Sequence, residues 1–341
     1  MKIICFGELL LRLAAPGYTK LLQKDILEVT FCGAEANVAA SLANFGMDVE
    51  FISKIPNNDI GEAAIRSLRQ FGVNTDKVIR DNGRMGAYYL EKGASQRPSK
   101  IIYDREYSAF ALAKRTDFDW DHIFENVEWF HWTGINPALS EELVDICLQA
   151  CEVAKEKNII VSCDLNYRGK LWKPEKAQSV MTKLLKYVDV CIANEEDAEK
   201  ALSIKTEKSN PENAEINKLD YTITARKISE LYGCKYIATT FRKSYSASIN
   251  GWSAMLYDSN TTKSYFSEDY EIQLVDRVGS GDSFAAGIIY GFQKHMALDE
   301  IIEFASASSC LKQTMEGDYN RATVEDVYNL LNNGGHGRVQ R

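Results

Sequence analysis

Apolar runs of strand length alternate with amphipathic stretches along nearly the whole chain. The runs at 2–6, 49–53, 129–132, 159–163, 188–192 and 236–240 carry few polar positions, as strands buried on both faces do. Between them, apolar residues recur at helical spacing over 36–45, 61–71, 141–155, 178–187 and 221–232, and again near 301–313 and 324–331. The alternation predicts an α/β fold, a mostly parallel sheet covered by helices on both faces. Ligands of such sheets gather beyond the carboxyl ends of the strands.

Two segments break this rhythm. Residues 9–31 and 84–105 are β-prone but lack a helical crossover, and GAYYLE with KIIYDRE alternates as an antiparallel pair does. They predict a small sheet projecting from the main one, placed to act as a lid that keeps water from a reacting centre. The polar stretch 205–218 reads as a surface loop and 334–341 as a flexible tail. Residues 1–333 are expected to form a single domain.

Composition narrows the function. With 45% apolar and 26% charged residues the chain is that of a soluble globular protein, and a net charge of −8 argues against nucleic-acid binding. The apolar start is interrupted by Glu8 and Arg12, so a first strand explains it better than a leader or a membrane span. Eight cysteines stand without a CxxC pair, mostly in apolar runs, which suits buried thiols in a reducing, cytoplasmic setting. No histidine joins them at metal-ligand spacing.

Residues 276–292, DRVGSGDSFAAGIIYGF, carry the chemistry. A β-prone run at 272–275, glycines at 279 and 281, then small and apolar residues at helical spacing predict strand, tight turn and helix. Main-chain N–H groups of Gly279, Ser280 and Gly281 at a helix start make an anion pocket. Asp282 stands at its mouth. A carboxylate repels phosphate, so it either accepts a proton from an attacking hydroxyl or caps the helix.

GSGDSFAAG at 279–287, CGAEANVAASLANFG at 32–46 and NEED at 194–197, in that order, resemble the PfkB, or ribokinase-like, family of sugar kinases. The resemblance spans essentially the whole chain. It implies a three-layer α/β/α fold with a small β-sheet lid, ATP and Mg²⁺ as cofactors, and it leaves a monovalent cation open. It assigns Asp282 as general base and the Gly279–Gly281 amides as the anion hole, and places Gly33 and Asn37 at the sugar. Asn194 with Asp197, where the family usually has Glu, would act on magnesium indirectly, through water.

Tyr88, Tyr103, Arg105 and the DLNYRGKLW stretch containing Arg168 resemble the 2-keto-3-deoxygluconate kinase branch. In that branch Arg105 and Arg168 would bind the acid end of the sugar, with Tyr88 and Tyr103 on its hydroxyls or ring face. Two arginines suit a carboxylate, which a neutral hexose does not require. TMEGDYN at 314–320 resembles a second family site, with Asp318 toward the substrate and Asn320 toward the nucleotide. Arg242 is a candidate phosphate contact, and Arg277 receives no role.

The activity implied is phosphorylation of the 6-hydroxyl of 2-keto-3-deoxygluconate, the alternative being a fructokinase or ribokinase-like enzyme for a neutral sugar. A dinucleotide oxidoreductase is disfavoured because the third glycine of GxGxxG is missing and an acid stands where pyrophosphate would press. A non-catalytic sugar sensor is disfavoured by Asp282. The expected partners are small molecules, with no nucleic acid or membrane, and a homo-oligomer of a size the sequence leaves open.

Overall fold

The computed structural model describes residues 2–205 and 217–333. Nearly all of the predicted polar loop and all of the tail at 334–341 lie outside the described residues.

The first half of the chain contains strands β1 (Lys2–Phe6), β2 (Leu10–Ala14), β3 (Glu28–Cys32), β4 (Asp48–Ile52), β5 (Lys54–Pro56), β6 (Ile79–Asp81), β7 (Gly86–Glu91), β8 (Lys100–Asp104), β9 (Val127–Thr133) and β10 (Ile160–Asp164). Its helices are α1 (Ala34–Asn44), α2 (Asp59–Arg69), α3 (Trp120–Ile123), α4 (Ile135–Leu139) and α5 (Glu141–Glu156). The second half adds α6 (Pro174–Leu184), α7 (Glu195–Leu202), α8 (Lys218–Tyr232), α9 (Ser280–Gln293), α10 (Leu298–Gln313) and α11 (Val324–Asn333). Its strands are β11 (Val190–Ile192), β12 (Tyr236–Ser244), β13 (Ile249–Asp258), β14 (Lys263–Phe266) and β15 (Tyr270–Gln273).

Nine strands form the main sheet, in the order β14-β13-β12-β11-β10-β9-β1-β4 with β15 also on β13. From β4 to β12 every pairing is parallel. Period-2 alternation sends successive side chains of β1 to opposite faces. Ile4 and Phe6 join the core beneath α5, α6 and α8, while Ile3 and Cys5 join the one beneath α1, α2, α9 and α10. A strand flanked by two cores has no polar face, which is why these runs read as continuously apolar.

The two rhythm-breaking segments form the separate four-stranded sheet, ordered β3-β2-β7-β8, with β7 and β8 antiparallel as their alternation predicted. Other elements differ from expectation. The β12–β13 hairpin and strands β14 and β15 extend the main sheet in antiparallel fashion, where the sequence predicted a strand only at 236–240 and one at 272–275. The strand before the GSGD turn therefore ends at Gln273 and lies on an antiparallel edge.

Helix ends follow local chemistry. Asn58 caps α2 through Gly61 N, Ser140 caps α5 through Leu143 N, and α8 stops at Gly233, which turns left-handed with φ 80°. Eight cysteines are buried and free. Among the described residues no helix is long and apolar enough to cross a membrane.

Helices α9 and α10 pack closely through Gly287, where an added Cβ would fall 2.5 Å from Ala305 Cα. Gly287→Ala gains about 1 kcal/mol of helix propensity but overpacks a contact for which roughly 1–3 kcal/mol is typical. Urea unfolding should show a net loss of stability. Equal or greater stability would mean that the two helices separate freely.

Candidate active site

A cavity of about 620 Å³ opens at the carboxyl ends of β1, β9, β10 and β11, with one wall supplied by the small sheet. Gly33, Asn37, Tyr88, Tyr103, Arg105, Arg168, Asn194, Asp197, Arg242, Gly279, Ser280, Gly281, Asp282 and Asp318 all line it. Residues spread from 33 to 318 thus converge because they lie at strand ends, on the lid strands or the helix that follows them, at the start of α9 or just past the end of α10.

The α9 start is built to receive an anion. Gly279 adopts φ 85°, and a Cβ there would lie 2.1 Å from the Asp318 carbonyl oxygen, so only glycine fits. No side chain caps the helix, and its first i→i−4 bond runs from Ser283 N to Gly279 O, so the preceding N–H groups lack intrahelical partners of that kind. Gly281 leaves open space where a side chain would stand.

Asp282 lies within the first turn and does not cap it. Its carboxyl accepts from Asn37 Nδ2 at 2.6 Å. Burial pushes the Asp282 carboxyl up to about 7, against the hydrogen bond from Asn37 and aided by the nearby Asp318 charge. Of the two roles open to Asp282 in the sequence, the geometry removes the cap.

Charged pairs hold the lid wall. Arg12, on β2, reaches both Asp276 and Asp318 with its two terminal nitrogens, and Tyr88 OH donates to Asp318 at 2.8 and 3.0 Å. The Asp318 carboxylate, expected at the substrate, is therefore engaged by the lid. Arg105 donates Nε at 2.8 Å and Nη2 to Glu8, whose other oxygen accepts from Ser108 Oγ. Its guanidinium stacks 5.7 Å from the Tyr103 ring. Arg105 thus meets the cavity already partly neutralised, while among the described residues Arg168 donates only to the main-chain oxygen of the adjacent Tyr167, 3.0 Å away. Arg168, Arg242 and Arg277 form no ion pair among the described residues. Arg242 is pushed down by burial and then by the like charges of Arg277 and Arg168, which Glu195 and Glu196 only partly counter.

The opposite wall is acidic. Asn194 and Asp197 form a capping box on α7: Asn194 Oδ1 accepts from Asp197 N at 2.9 Å, and Asp197 accepts from Asn194 N at 3.1 Å and Tyr167 N at 2.7 Å. Burial lifts Asp197 to about 6 and, together with the Asp197 and Asp282 charges, lifts Asp164 well above the carboxylate range. Glu35, which accepts from Thr133 N and Oγ1 at 3.0 and 2.7 Å, is raised to about 7 by burial. Among the described residues no three His, Cys, Asp or Glu side chains cluster to hold a metal.

Asn320 departs from its expected place. It is fully buried away from the cavity, donating to Ser283 and Ser308 at 2.9 and 3.2 Å and accepting from Ala322 N. It joins α9, α10 and the final turn and does not face the cavity. Glu8, Glu35, Asp164 and Arg277 line the site without a role read from the sequence. Glu8 left a signal, a charge inside an apolar run.

The model of the pfkB family carbohydrate kinases matches residues 1–222 and 251–324. The solved structure of 2-dehydro-3-deoxygluconokinase from Thermotoga maritima superposes with a TM-score of 0.93 at 47% identity, over 97% of this chain and 98% of that one. A 2-dehydro-3-deoxygalactonokinase from Haloferax volcanii is 28% identical over 98% of both chains. A 2-dehydro-3-deoxygluconokinase from Bacillus subtilis is 26% identical over 92% of this chain and 90% of its own.

The raised acids have a consequence for stability. Asp282 holds its proton more tightly folded than unfolded, so the native state binds more protons between about pH 4 and about 7. Its contribution to stability therefore falls as pH rises through that window. Asp282→Asn removes this contribution. In urea unfolding of the ligand-free protein, the variant should gain on the wild type between pH 5 and 8. A difference that does not change with pH would give Asp282 an ordinary carboxylate titration.

Proposed function

Because this chain belongs to the pfkB family of carbohydrate kinases, we propose that it transfers the γ-phosphoryl group of ATP to the 6-hydroxyl of 2-keto-3-deoxygluconate, giving 2-keto-3-deoxy-6-phosphogluconate. The observation that carries this reading is the half-buried Asp282 carboxyl, hydrogen-bonded by Asn37 beside an uncapped helix start in a cavity that also holds Arg168. The relatives' names, which use dehydro for keto, support the acid substrate.

In the proposed reaction Asn37 and Gly33 fix the sugar, and Asp282, when ionised, takes the proton of the attacking hydroxyl. The N–H groups of Gly279, Ser280 and Gly281 hold the charge that develops on the transferred phosphoryl. Such transfer is largely positioning and electrostatics, so these amides contribute more than the base. Arg242, with Arg277, faces the nucleotide phosphates. Arg168 binds the sugar carboxylate, and the Tyr103 ring with the partly engaged Arg105 and Tyr88 shapes the adjoining wall.

The donors on the acidic wall are hard oxygens, which fit magnesium held mainly by nucleotide and water. Asn194 and Asp197 would hold it through water, since each Asp197 oxygen already accepts one N–H and keeps capacity for another. Magnesium, when bound, supplies positive charge to the phosphate oxygens.

One observation favours a second reading. The Glu8 partner of Arg105 removes half of the expected cationic grip, as a kinase of a neutral sugar such as fructose or ribose would tolerate. Turnover across gluconate- and galactonate-derived keto-deoxy acids, fructose and ribose decides between the readings, with the gluconate acid expected to be preferred.

Two variants probe the chemistry. Asp282→Asn should lower kcat by about 10²–10⁴ with little change in sugar affinity, and near-normal turnover would remove Asp282 from the reaction. Losing a charged hydrogen bond, Arg168→Ala should raise KM for the keto-deoxy acid by about tenfold to a hundredfold while sparing any slow neutral substrate. An equal effect on both would refute carboxylate binding by Arg168.

A further inference from the structure

Beneath the anion-binding turn lies a lysine that no expectation above covers. Lys312, in the last turn of α10, is fully buried. Its ammonium forms no ion pair among the described residues and instead donates to two main-chain carbonyls, Asp276 O at 3.1 Å and Met315 O at 3.4 Å. Its stem runs directly under the turn, with Cε 3.2 Å from where a Cβ of Gly279 would stand.

The end of α10 braces the turn at further points. Ser309 Oγ donates to Ser280 O at 2.7 Å, while Val275 N and Asp276 N both donate to Gln313 O. Packing alone does not account for a charge here, because a buried ammonium without a paired carboxylate is costly and methionine fills similar space without that cost. Burial pushes the Lys312 ammonium down and Arg12 adds to this, and the carbonyl dipoles with the carboxyl groups of Asp276, Asp318 and Asp282 offset part of that cost.

We infer that Lys312 is a positioning residue whose ammonium serves as a built-in monovalent cation, tying the Gly279–Asp282 turn to the segment after α10. Main-chain carbonyls are the ligands that a potassium ion would take, and here the lysine uses them. The residues present therefore do not fit an added monovalent cation at this place, and turnover should not require one. This rests on the kinase reading, since the turn it fixes is the proposed anion hole.

The test compares chloride salts of potassium, sodium and tetramethylammonium at one ionic strength. Steady-state turnover and calorimetric binding of magnesium with the β,γ-imido analogue of ATP are both measured. The wild type should give the same kcat and the same affinity in all three salts. Lys312→Ala should lose about 10² in kcat, as displaced catalytic groups commonly do, and regain most of it in potassium chloride. Lys312→Met, which fills the space, should lose activity without regaining it.

Severalfold activation of the wild type by potassium would overturn the inference. So would a folded Lys312→Ala that turns over normally, or one that no small cation restores. If the alanine variant fails to fold, the wild-type salt series still decides. Absence of any sugar-dependent turnover would instead strike the kinase reading, and the binding series would then carry the test.

Discussion

Burial, aided by the nearby Asp318 charge, pushes the Asp282 carboxyl up to about 7, and the proposed reaction depends on that environment. Asp282 lines the cavity beside Asn37 of α1, with the lid supplying one of the cavity's walls. A hydrogen bond from Asn37, with the charges of Arg168 and Lys312, steadies the ionised form. The neighbouring N–H groups have no competing side-chain cap. In the proposed reaction the base and the anion hole share one helix turn, and whatever displaces that turn disturbs both. In a dry site such fixed dipoles need no reorganisation during the reaction, which is the main source of their catalytic worth.

Buried charges hold this corner together. Arg12 joins a lid strand to Asp276 before the turn and to Asp318 behind it, and Glu8 joins β1's end to Arg105 and Ser108. Buried ion pairs often add little net stability over apolar replacements, but breaking one by removing a partner is expensive. Their effect here is geometric: the lid can sit in only the register that satisfies Arg12 and Tyr88 together. The same residues that shape the cavity wall therefore hold the turn in place from above, as the end of α10 does from below.

The mostly parallel sheet and the cavity at its strand ends were largely legible because periodicity and motif spacing report backbone, and the backbone decides which strand ends meet. The GSGD turn, the Asn37 helix and the Arg168 strand end all fell on one cavity for that reason. Side-chain partnerships were less legible. Nothing in the local pattern around Arg105 or Asp318 shows that Glu8 and Arg12 occupy them, since those partners are remote in sequence. Asn320 was misplaced by the same gap, its neighbours Ser283 and Ser308 being unremarkable in a helical run. The antiparallel extension escaped because β13, though buried, interleaves Asn250, Gly251 and Ser253 with its apolar residues, and the edge strands β14 and β15 carry mixed polarity, so none has the uniform apolar signature of β1 or β11. Glu8 and Arg12 did leave a trace as charges within an apolar strand run. That trace marks a buried partner.

The most direct test is a crystal structure of the complex with 2-keto-3-deoxygluconate, magnesium and a non-hydrolysable ATP analogue. The account predicts an Asp282 oxygen within about 2.6–3.2 Å of the primary hydroxyl, the terminal phosphate against the N–H groups of 279–281, and the sugar carboxylate on Arg168. A primary hydroxyl out of reach of Asp282, or a carboxylate directed away from Arg168, would contradict it.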